Sequence, residues 1–227
     1  KLVETGNNLY LSTTKESIFF INQQFIQIDA DKKWIKTDKK LFNNNTKNSV
    51  DLYIDSPLFT LIPNEIFNQI DQSQKRAFLT NEENNFFFHQ STIPSLDTQL
   101  FWAVKKEDEE LFKNKIPGCT FHHFTEPIIL NNKEEFSVKY YSNNNFIYIL
   151  CFKNKSLCIS NRFDIHNNDD ALYFILNLIK ESDLINSKLK IQSYGLSNND
   201  LEAKLASIFK DAEFNKYSEL DFFSFFL

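Results

Sequence analysis

The pattern of apolar and polar positions is clearest in the second half of the chain. Phe146–Phe152 is almost entirely apolar and predicts a buried strand, whereas the apolar residues of Asp169–Lys180 recur with helical spacing behind Asn168, a good N-cap residue. The elements predicted in this half are strands at Phe146–Phe152, Leu157–Arg162, Phe163–Ile165 and Leu189–Tyr194, and helices at Asp169–Lys180 and from Ser197 or Asn198 to about Phe209.

The first half has shorter alternating segments, separated by polar and proline-containing turns. Predicted strands lie at Leu9–Thr13, Ser17–Asn22, Phe25–Asp29, Val50–Asp55, Phe59–Ile62, Phe86–Thr92, Thr98–Val104 and Cys119–Phe124. Predicted helices lie at Asp31–Phe42, from Asn64 to about Phe78, and at Lys105–Lys115. The acidic run Glu107–Glu110 predicts a solvated first turn for the last of these helices. Thr125–Tyr141 fits no single element. The alternation of strands and helices is typical of an α/β protein.

Composition excludes the glycine-rich nucleotide loops. The 227 residues contain 25 Phe, 27 Asn, no Met and only three glycines, at Gly6, Gly118 and Gly195. Without neighbouring glycines the chain cannot form either the GxGxxG or the GxxxxGK[ST] motif. Asparagine tolerates left-handed backbone better than most residues, so we expect it to occupy many of the turns.

Charge and cysteine content indicate the kind of partner and compartment. The net charge of −5 argues against a nucleic-acid partner, which usually requires a basic stripe. Three cysteines without a CxxC motif imply no disulfide framework and favour a reducing compartment. The first ten residues lack the apolar segment of a signal peptide, and the longest apolar run is too short to span a membrane. We therefore expect a cytoplasmic protein with no membrane span.

Two segments of the chain resemble each other. Ser17–Phe25 and Ser156–Phe163 share a serine, a pair of apolar residues, an asparagine and a phenylalanine when one gap is allowed. Each follows an asparagine-rich turn and a strand, and each precedes a strand, a helical region and a further strand. This shared order indicates a duplication. The alternative is chance similarity, because a sequence rich in Asn, Ile and Phe easily matches itself.

The duplicated order of elements resembles the actin/Hsp70/sugar-kinase superfamily, whose members contain two ribonuclease H-like halves. More narrowly, the chain resembles an uncharacterised bacterial family with a degenerate actin-like ATPase fold. The resembling segments are Leu9–Ser12, Ser56–Pro63, Leu100–Val104, His122-His123 and Leu189–Gly195 followed by Ser197. The resemblance implies an α/β fold of two ribonuclease H-like halves in an actin-like arrangement. We place these halves at residues 1–142 and 143–227.

The resemblance also implies an aspartate and a glycine in one hairpin of each half, where they hold Mg²⁺ and wrap phosphates. The corresponding segments, Leu11–Ser17 and Leu150–Ser156, contain neither residue, although Mg²⁺ prefers carboxylate ligands. We therefore expect a non-catalytic protein without a cofactor. The alternative is a divergent protein that binds ATP with Mg²⁺ and hydrolyses it weakly or not at all. The residues that would bind it are Ser12, Thr13, Thr14, Lys153, Asn154 and Gly195.

Other catalytic and metal-binding patterns are weaker. The strands Leu9–Thr13 and Phe146–Phe152 carry no acidic residue, which argues against two-metal nuclease chemistry. Cys119, His122 and His123 are close in sequence, but strand alternation places only Cys119 and His123 on one face. No second cluster of ligands accompanies them, so we expect no metal site.

The chain ends in an apolar segment that contains Phe222, Phe223, Phe225 and Phe226. An exposed patch of this kind is a candidate interface, and the alternative is that it folds back onto the protein as part of the core. Together with the absent catalytic residues, the segment predicts a cytoplasmic protein-binding or scaffold module. Its partner would be another protein or a second copy of the chain.

Overall fold

The structure is a computed structural model that describes residues 50–143, 145–195 and 198–217, together with the backbone of five short strands between residues 3 and 37. The chain divides into two compact units. The N-terminal unit ends at Leu130, and the C-terminal unit begins at Asn131.

The N-terminal unit combines a five-stranded mixed sheet with two smaller antiparallel sheets, one of three strands and one of two. Its strands are β1 (Val3–Thr5), β2 (Asn8–Tyr10), β3 (Glu16–Ile21), β4 (Gln24–Ile28), β5 (Trp34–Thr37), β6 (Val50–Ile54), β7 (Phe59–Pro63), β8 (Phe86–Ile93), β9 (Thr98–Lys105) and β10 (Thr120–His123). Its helices are α1 (Asn64–Gln69), α2 (Gln72–Ala77), α3 (Lys106–Lys115) and α4 (Glu126–Leu130), with 3-10 turns at Glu83–Asn85 and Pro94–Leu96.

The C-terminal unit has one five-stranded sheet and two helices among its described residues. The strands are β11 (Phe136–Ser142), β12 (Phe146–Lys153), β13 (Ser156–Asp164), β14 (Lys190–Gly195) and β15 (Glu213–Tyr217), and the helices are α5 (Asn168–Glu181) and α6 (Asn199–Ile208). The buried residues of α5 and α6 pack with one face of β11, β12 and β14 to form the core of the unit.

The two large sheets share one strand order. The N-terminal sheet runs β5-β4-β3-β6-β10, and the C-terminal sheet runs β13-β12-β11-β14-β15. In each, a meander of three antiparallel strands is followed by a fourth strand parallel to the first, and then a fifth strand parallel to the fourth. This is the duplicated α/β architecture that the sequence predicts.

The sequence alignment of the repeat nevertheless does not match equivalent strands. The counterparts of β3 and β4 in the strand order are β11 and β12, whereas Ser156–Phe163 lies in β13, the third strand of its meander. The similarity between Ser17–Phe25 and Ser156–Phe163 therefore reflects shared composition rather than equivalent position.

The boundary between the units lies earlier than the predicted division at Ser142. β11 pairs with both β12 and β14 and is the central strand of the C-terminal sheet. Its sequence hides this role because Ser137, Lys139 and Ser142 are polar although all three are buried. Without an apolar run, the strand carries no clear sign of its central position.

Three local predictions differ from the structure. Residues within Asp31–Phe42 include the strand β5, which pairs with β4, rather than a helix. The helix predicted from Asn64 is divided into α1 and α2 because Ile70 has extended backbone, after which Asp71 caps α2. Phe163–Ile165 is not a separate strand, since β13 runs without a break to Asp164.

Candidate functional site

Ligands of open α/β sheets bind beside the carboxyl ends of the parallel strands. In the C-terminal unit, β11 and β14 end at Ser142 and Gly195, which are paired with each other. The turn from β11 to β12, residues 143–145, lies at the same edge of the sheet. This end of the sheet, where the inner strands β11 and β14 terminate, is the candidate functional site and is called the β11–β14 edge.

The β11–β12 turn is closed by the side chain of Asn143. Its Oδ1 accepts hydrogen bonds from the backbone N–H groups of Asn145, at 2.8 Å, and Phe146, at 2.9 Å. The Asn143 N–H donates to the Phe146 carbonyl at 3.1 Å. A loop that wraps phosphate needs backbone N–H groups directed toward the ligand. Here these three donors are used inside the turn.

Gly195 is required by the close approach of β14 to β11. Its φ is +98°, and a Cβ atom at this position would lie 2.3 Å from the Ser142 carbonyl oxygen and 3.1 Å from the Tyr141 ring. Only glycine combines this backbone conformation with so short a distance. The packing of the two strand ends therefore explains why a glycine stands here.

Asparagine side chains cap both helices that begin near this edge. Asn167 Oδ1 accepts from the N–H groups of Asp169 and Asp170, at 2.8 and 2.9 Å, which caps α5. Asn198 Oδ1 accepts from the Leu201 N–H at 3.1 Å, which caps α6. The capped donors are those that an anion at a helix N-terminus would otherwise use.

Carboxylates outnumber cations beside these helix ends. Asn168 joins the two helices because it accepts from the Asn198 amide and donates to Asp200. Lys204 bridges Asp169 and Asp200, with distances of 2.8 and 2.9 Å. Hydrogen bonds from Lys204 and Asn168 hold the pKa of Asp200 below its usual value, so this carboxylate is ionised at neutral pH. A polyphosphate at this edge would meet carboxylates rather than free cations.

The structure places Lys153 and Asn154 at the opposite end of the sheet. Lys153 pairs with Phe136 at the start of β11, whereas Gly195 pairs with the end of that strand. The length of β11 separates the two positions by about 20 Å. Lys153 instead contacts Asp183 at 2.8 Å, and Asn154 occupies a left-handed turn position with φ of 54°. These two residues and Gly195 therefore do not form one binding site.

Several predicted residues lie outside the described residues. They are Ser12, Thr13 and Thr14, and the terminal Phe222, Phe223, Phe225 and Phe226.

In the N-terminal unit, the connection equivalent to the β11–β12 turn joins β3 to β4. Its sequence, Asn22-Gln23, contains neither aspartate nor glycine. The absence noted in the predicted hairpins therefore also holds for the hairpins that the topology makes equivalent.

His123 has a structural role at the end of β10. The side chain is fully buried. Its Nδ1 accepts from the Thr125 N–H at 3.2 Å, and its Nε2 lies 3.1 Å from the Ser56 carbonyl, to which it donates. The imidazole joins the ends of β6 and β10 and has no nitrogen left for a metal.

His122 and Cys119 do not form a metal site with His123. His122 Nε2 lies 3.5 Å from Asp51, and Nδ1 lies 3.4 Å from Glu126. Burial alone would lower the pKa of His122, but these two carboxylates outweigh burial and raise it above its usual value. Burial raises the pKa of Cys119 to about 11. Among the described residues, no group of three or more histidine, cysteine or acidic side chains could hold a metal ion.

Sequence reasoning missed the acidic side chain that is most deeply buried among the described residues. Glu109 was predicted to be solvated within Glu107–Glu110, but it is only 3% exposed. Its carboxylate contacts His89 Nε2 at 2.6 Å and Lys113 Nζ at 2.7 Å. The ring of His89 stacks on Trp102. The only sequence pattern that indicates a side-chain contact for Glu109 is its i,i+4 spacing from Lys113. The contacts attach α3 to the sheet formed by β7, β9 and β8.

The described residues line two cavities of interest. A cavity of about 100 Å³ lies at the carboxyl end of β6 and includes Asp55, Ser56 and Lys105. A groove of about 370 Å³ lies between α6 and β15 in the C-terminal unit. No helix within the described part of the chain is both long and apolar enough to cross a membrane.

A solved structure supports the fold assignment. The crystal structure of a Bacteroides thetaiotaomicron protein with an actin-like ATPase fold and unknown function matches with a TM-score of 0.71 and 16% identity. The match covers 89% of this chain and 90% of that one. The predicted actin-like ATPase fold is therefore confirmed.

Two further structures match less closely. One is the cytoplasmic domain of EpsL, an inner-membrane component of the type II secretion system of Vibrio cholerae, with a TM-score of 0.42, 12% identity and coverage of 79% of this chain and 81% of that one. The other is a PilM–PilN type IV pilus biogenesis complex, with a TM-score of 0.48, 7% identity and coverage of 90% and 88%. Both TM-scores are too low to establish a shared fold.

The sequence comparison identifies the family. None of the curated proteins matches the chain. The family described as "Protein of unknown function (DUF3822)" matches residues 7–209. This match spans most of the sequence and agrees with the resemblance to an uncharacterised family with this fold. The chain belongs to the DUF3822 family of proteins of unknown function.

Proposed function

We propose that this protein is a non-catalytic member of the actin-like fold that acts as a cytoplasmic protein-binding module. The observation that carries the proposal is the closed β11–β12 turn. The Asn143 side chain accepts hydrogen bonds from the N–H groups of Asn145 and Phe146. A phosphate-binding hairpin would instead present such N–H groups to its ligand. Opening the turn would break both hydrogen bonds before any phosphate contact formed.

The charges at the same edge support the proposal. Asp169, Asp170 and Asp200 stand in the first turns of α5 and α6. Carboxylates stabilise these helix ends, but they repel the phosphates of a nucleotide. The alternative, ATP binding with Mg²⁺ at this edge, requires the chain to displace an ordered turn and to overcome this repulsion.

Titration with ATP tests the absence of nucleotide binding. We expect no saturable rise in the melting temperature with ATP, with or without Mg²⁺, and no release of phosphate. A ligand present at about 100 times its Kd stabilises a protein by roughly 2.7 kcal/mol, which would shift the melting temperature of a chain of this size by several degrees. Sodium triphosphate is the control for non-specific anion effects. A saturable shift specific to ATP would contradict the proposal and favour the alternative.

Binding to a partner or to a second copy is assigned to the terminal segment. Phe222, Phe223, Phe225 and Phe226 concentrate apolar surface in a short stretch, as expected for an interface. We expect replacement of all four by serine to reduce self-association in sedimentation velocity, or the recovery of a specific partner, without a change in melting temperature. Phe78→Ser is the matched control, because Phe78 is 59% exposed elsewhere in the chain. A lower melting temperature with unchanged association would instead assign the segment to the core.

A further inference from the structure

We propose that the groove between α6 and β15 binds a free α-amino acid with an apolar side chain. Its volume of about 370 Å³ falls within the ordinary range of small-molecule sites. The residues that matter for the argument are Ser193, Glu202, Ala203, Ala206, Phe214 and Lys216. The charged end of this groove lies at the first turn of α6, near the β11–β14 edge, but the proposal does not depend on the proposed absence of nucleotide binding.

Small residues on α6 create the space. Leu201 and Leu205 are fully buried and attach the helix to the sheet. Ala203 and Ala206 point instead to the groove, where their short side chains leave a gap between the helix and β15. A larger residue at either position would fill this gap. The groove is therefore a consequence of the sequence of α6 and not of loose packing of the helix.

One end of the groove carries two opposite charges side by side. Glu202 Oε2 lies 3.0 Å from Lys216 Nζ, and Lys216 also donates to Asn199 Oδ1 at 3.1 Å. Ser193 Oγ lies 3.5 Å from the other Glu202 oxygen. Both charged side chains are partly accessible, at 24% for Glu202 and 44% for Lys216. A ligand can therefore reach the pair without opening the fold.

The spacing of these charges matches an α-amino acid. Such a molecule carries its ammonium and carboxylate on the same carbon atom, so the two groups are also side by side. The ammonium can donate to Glu202 while the carboxylate accepts from Lys216, which gives charge-assisted hydrogen bonds in both directions. In a dipeptide the two charges are separated by a further residue of about 3.8 Å and cannot meet the pair together.

The remaining walls favour an apolar side chain. Ile191 is 1% exposed at the base of the groove, and Phe214 on β15 is 37% exposed at its side. With Ala203 and Ala206, these residues offer hydrocarbon surface next to the charged end. A ligand side chain placed there would bury this surface and remove it from water. The side chain of leucine or phenylalanine suits it, whereas that of glutamate or lysine does not.

Calorimetric titration with L-phenylalanine and L-leucine tests the proposal. Each is expected to bind saturably, and glycine and L-glutamate to bind at least about tenfold more weakly. N-acetyl-L-phenylalanine lacks the ammonium, and L-phenylalaninamide lacks the carboxylate. Because each analogue loses a charge-assisted hydrogen bond, each is expected to bind at least about tenfold more weakly than L-phenylalanine. Absence of binding by both amino acids, or binding of either analogue as tightly as L-phenylalanine, would overturn the proposal.

Protein variants locate the site. Glu202→Gln and Lys216→Met are expected to weaken binding of L-phenylalanine at least about tenfold. Lys204→Met is the matched control, since Lys204 lies on the same helix but pairs with Asp169 and Asp200, and it should leave the affinity unchanged. Ala203→Leu fills the groove and provides a variant with both charges intact, which should also lose binding. Normal affinity in Glu202→Gln, Lys216→Met and Ala203→Leu would exclude this groove.

Discussion

Replacement of Gly195 by alanine is expected to lower the free energy of unfolding by about 3 kcal/mol or more, a large effect for one methyl group. Two causes act together. The φ of +98° is strained for a residue with a side chain, and the added Cβ would lie 2.3 Å from the Ser142 carbonyl oxygen. A carbonyl oxygen of the neighbouring strand cannot move away without disturbing the pairing of β14 with β11. Urea denaturation monitored by circular dichroism measures the change.

Gly118→Ala is the matched control for this experiment. Gly118 also has a positive φ, +77°, but a Cβ atom there would meet nothing within 4 Å. Only the conformational cost applies, so the expected loss is about 1 kcal/mol. The difference between the two variants measures the close approach of the strand ends. If Gly195→Ala were no more destabilising than Gly118→Ala, the packing explanation for Gly195 would be wrong, and a role in ligand binding would regain support.

Removal of the Glu109 carboxylate has the second largest expected effect. Glu109→Ala is expected to cost about 2–3 kcal/mol of stability, because it takes away a buried group that His89 and Lys113 both contact. Lys113 is 58% exposed and can return to water, so most of the loss should come from the contact with His89. Thermal and urea unfolding of the variant measure it.

The neighbouring Glu110 provides the control. Glu110 is exposed in the same helix, so Glu110→Ala should change stability by less than about 0.5 kcal/mol. A double-mutant cycle with His89→Ala should give a larger coupling energy to Glu109 than a cycle with Lys113→Ala. Equal losses for Glu109→Ala and Glu110→Ala would show that the acidic run is solvated, as its sequence suggests.

The elements that sequence predicts best are those whose pattern is set by their own residues. β12 is an apolar run buried on both faces, and α5 has a regular apolar face, so the sequence predicts both. The residue that caps α5 is Asn167, however, and not the predicted Asn168. β11 was missed because its position as the central strand depends on partners distant in sequence. Its buried Ser137 and Lys139 are polar, and no local pattern reveals that such residues face a packed interior.

The candidate site was predictable only in part. The loss of aspartate and glycine could be read from the sequence, and it holds at the topologically equivalent hairpins. The sequence could not show how far Lys153 and Asn154 lie from Gly195, because only the strand register places them at opposite ends of the sheet. The groove beside α6 could not be foreseen, since it depends on where Ala203 and Ala206 fall relative to β15.

The two units share one strand order but differ in the length of the connection that leads to the fifth strand. Each meander can pair between neighbours in sequence, but each fifth strand must return to the sheet through a crossover. From β14 to β15 this crossover contains one helix, whereas from β6 to β10 it contains three strands and three helices. Each doubling of a closed loop costs only about 0.6 kcal/mol, yet distant contacts slow folding markedly. We therefore expect the long insertion in the N-terminal unit to slow folding markedly, while it lowers the free energy of unfolding only slightly.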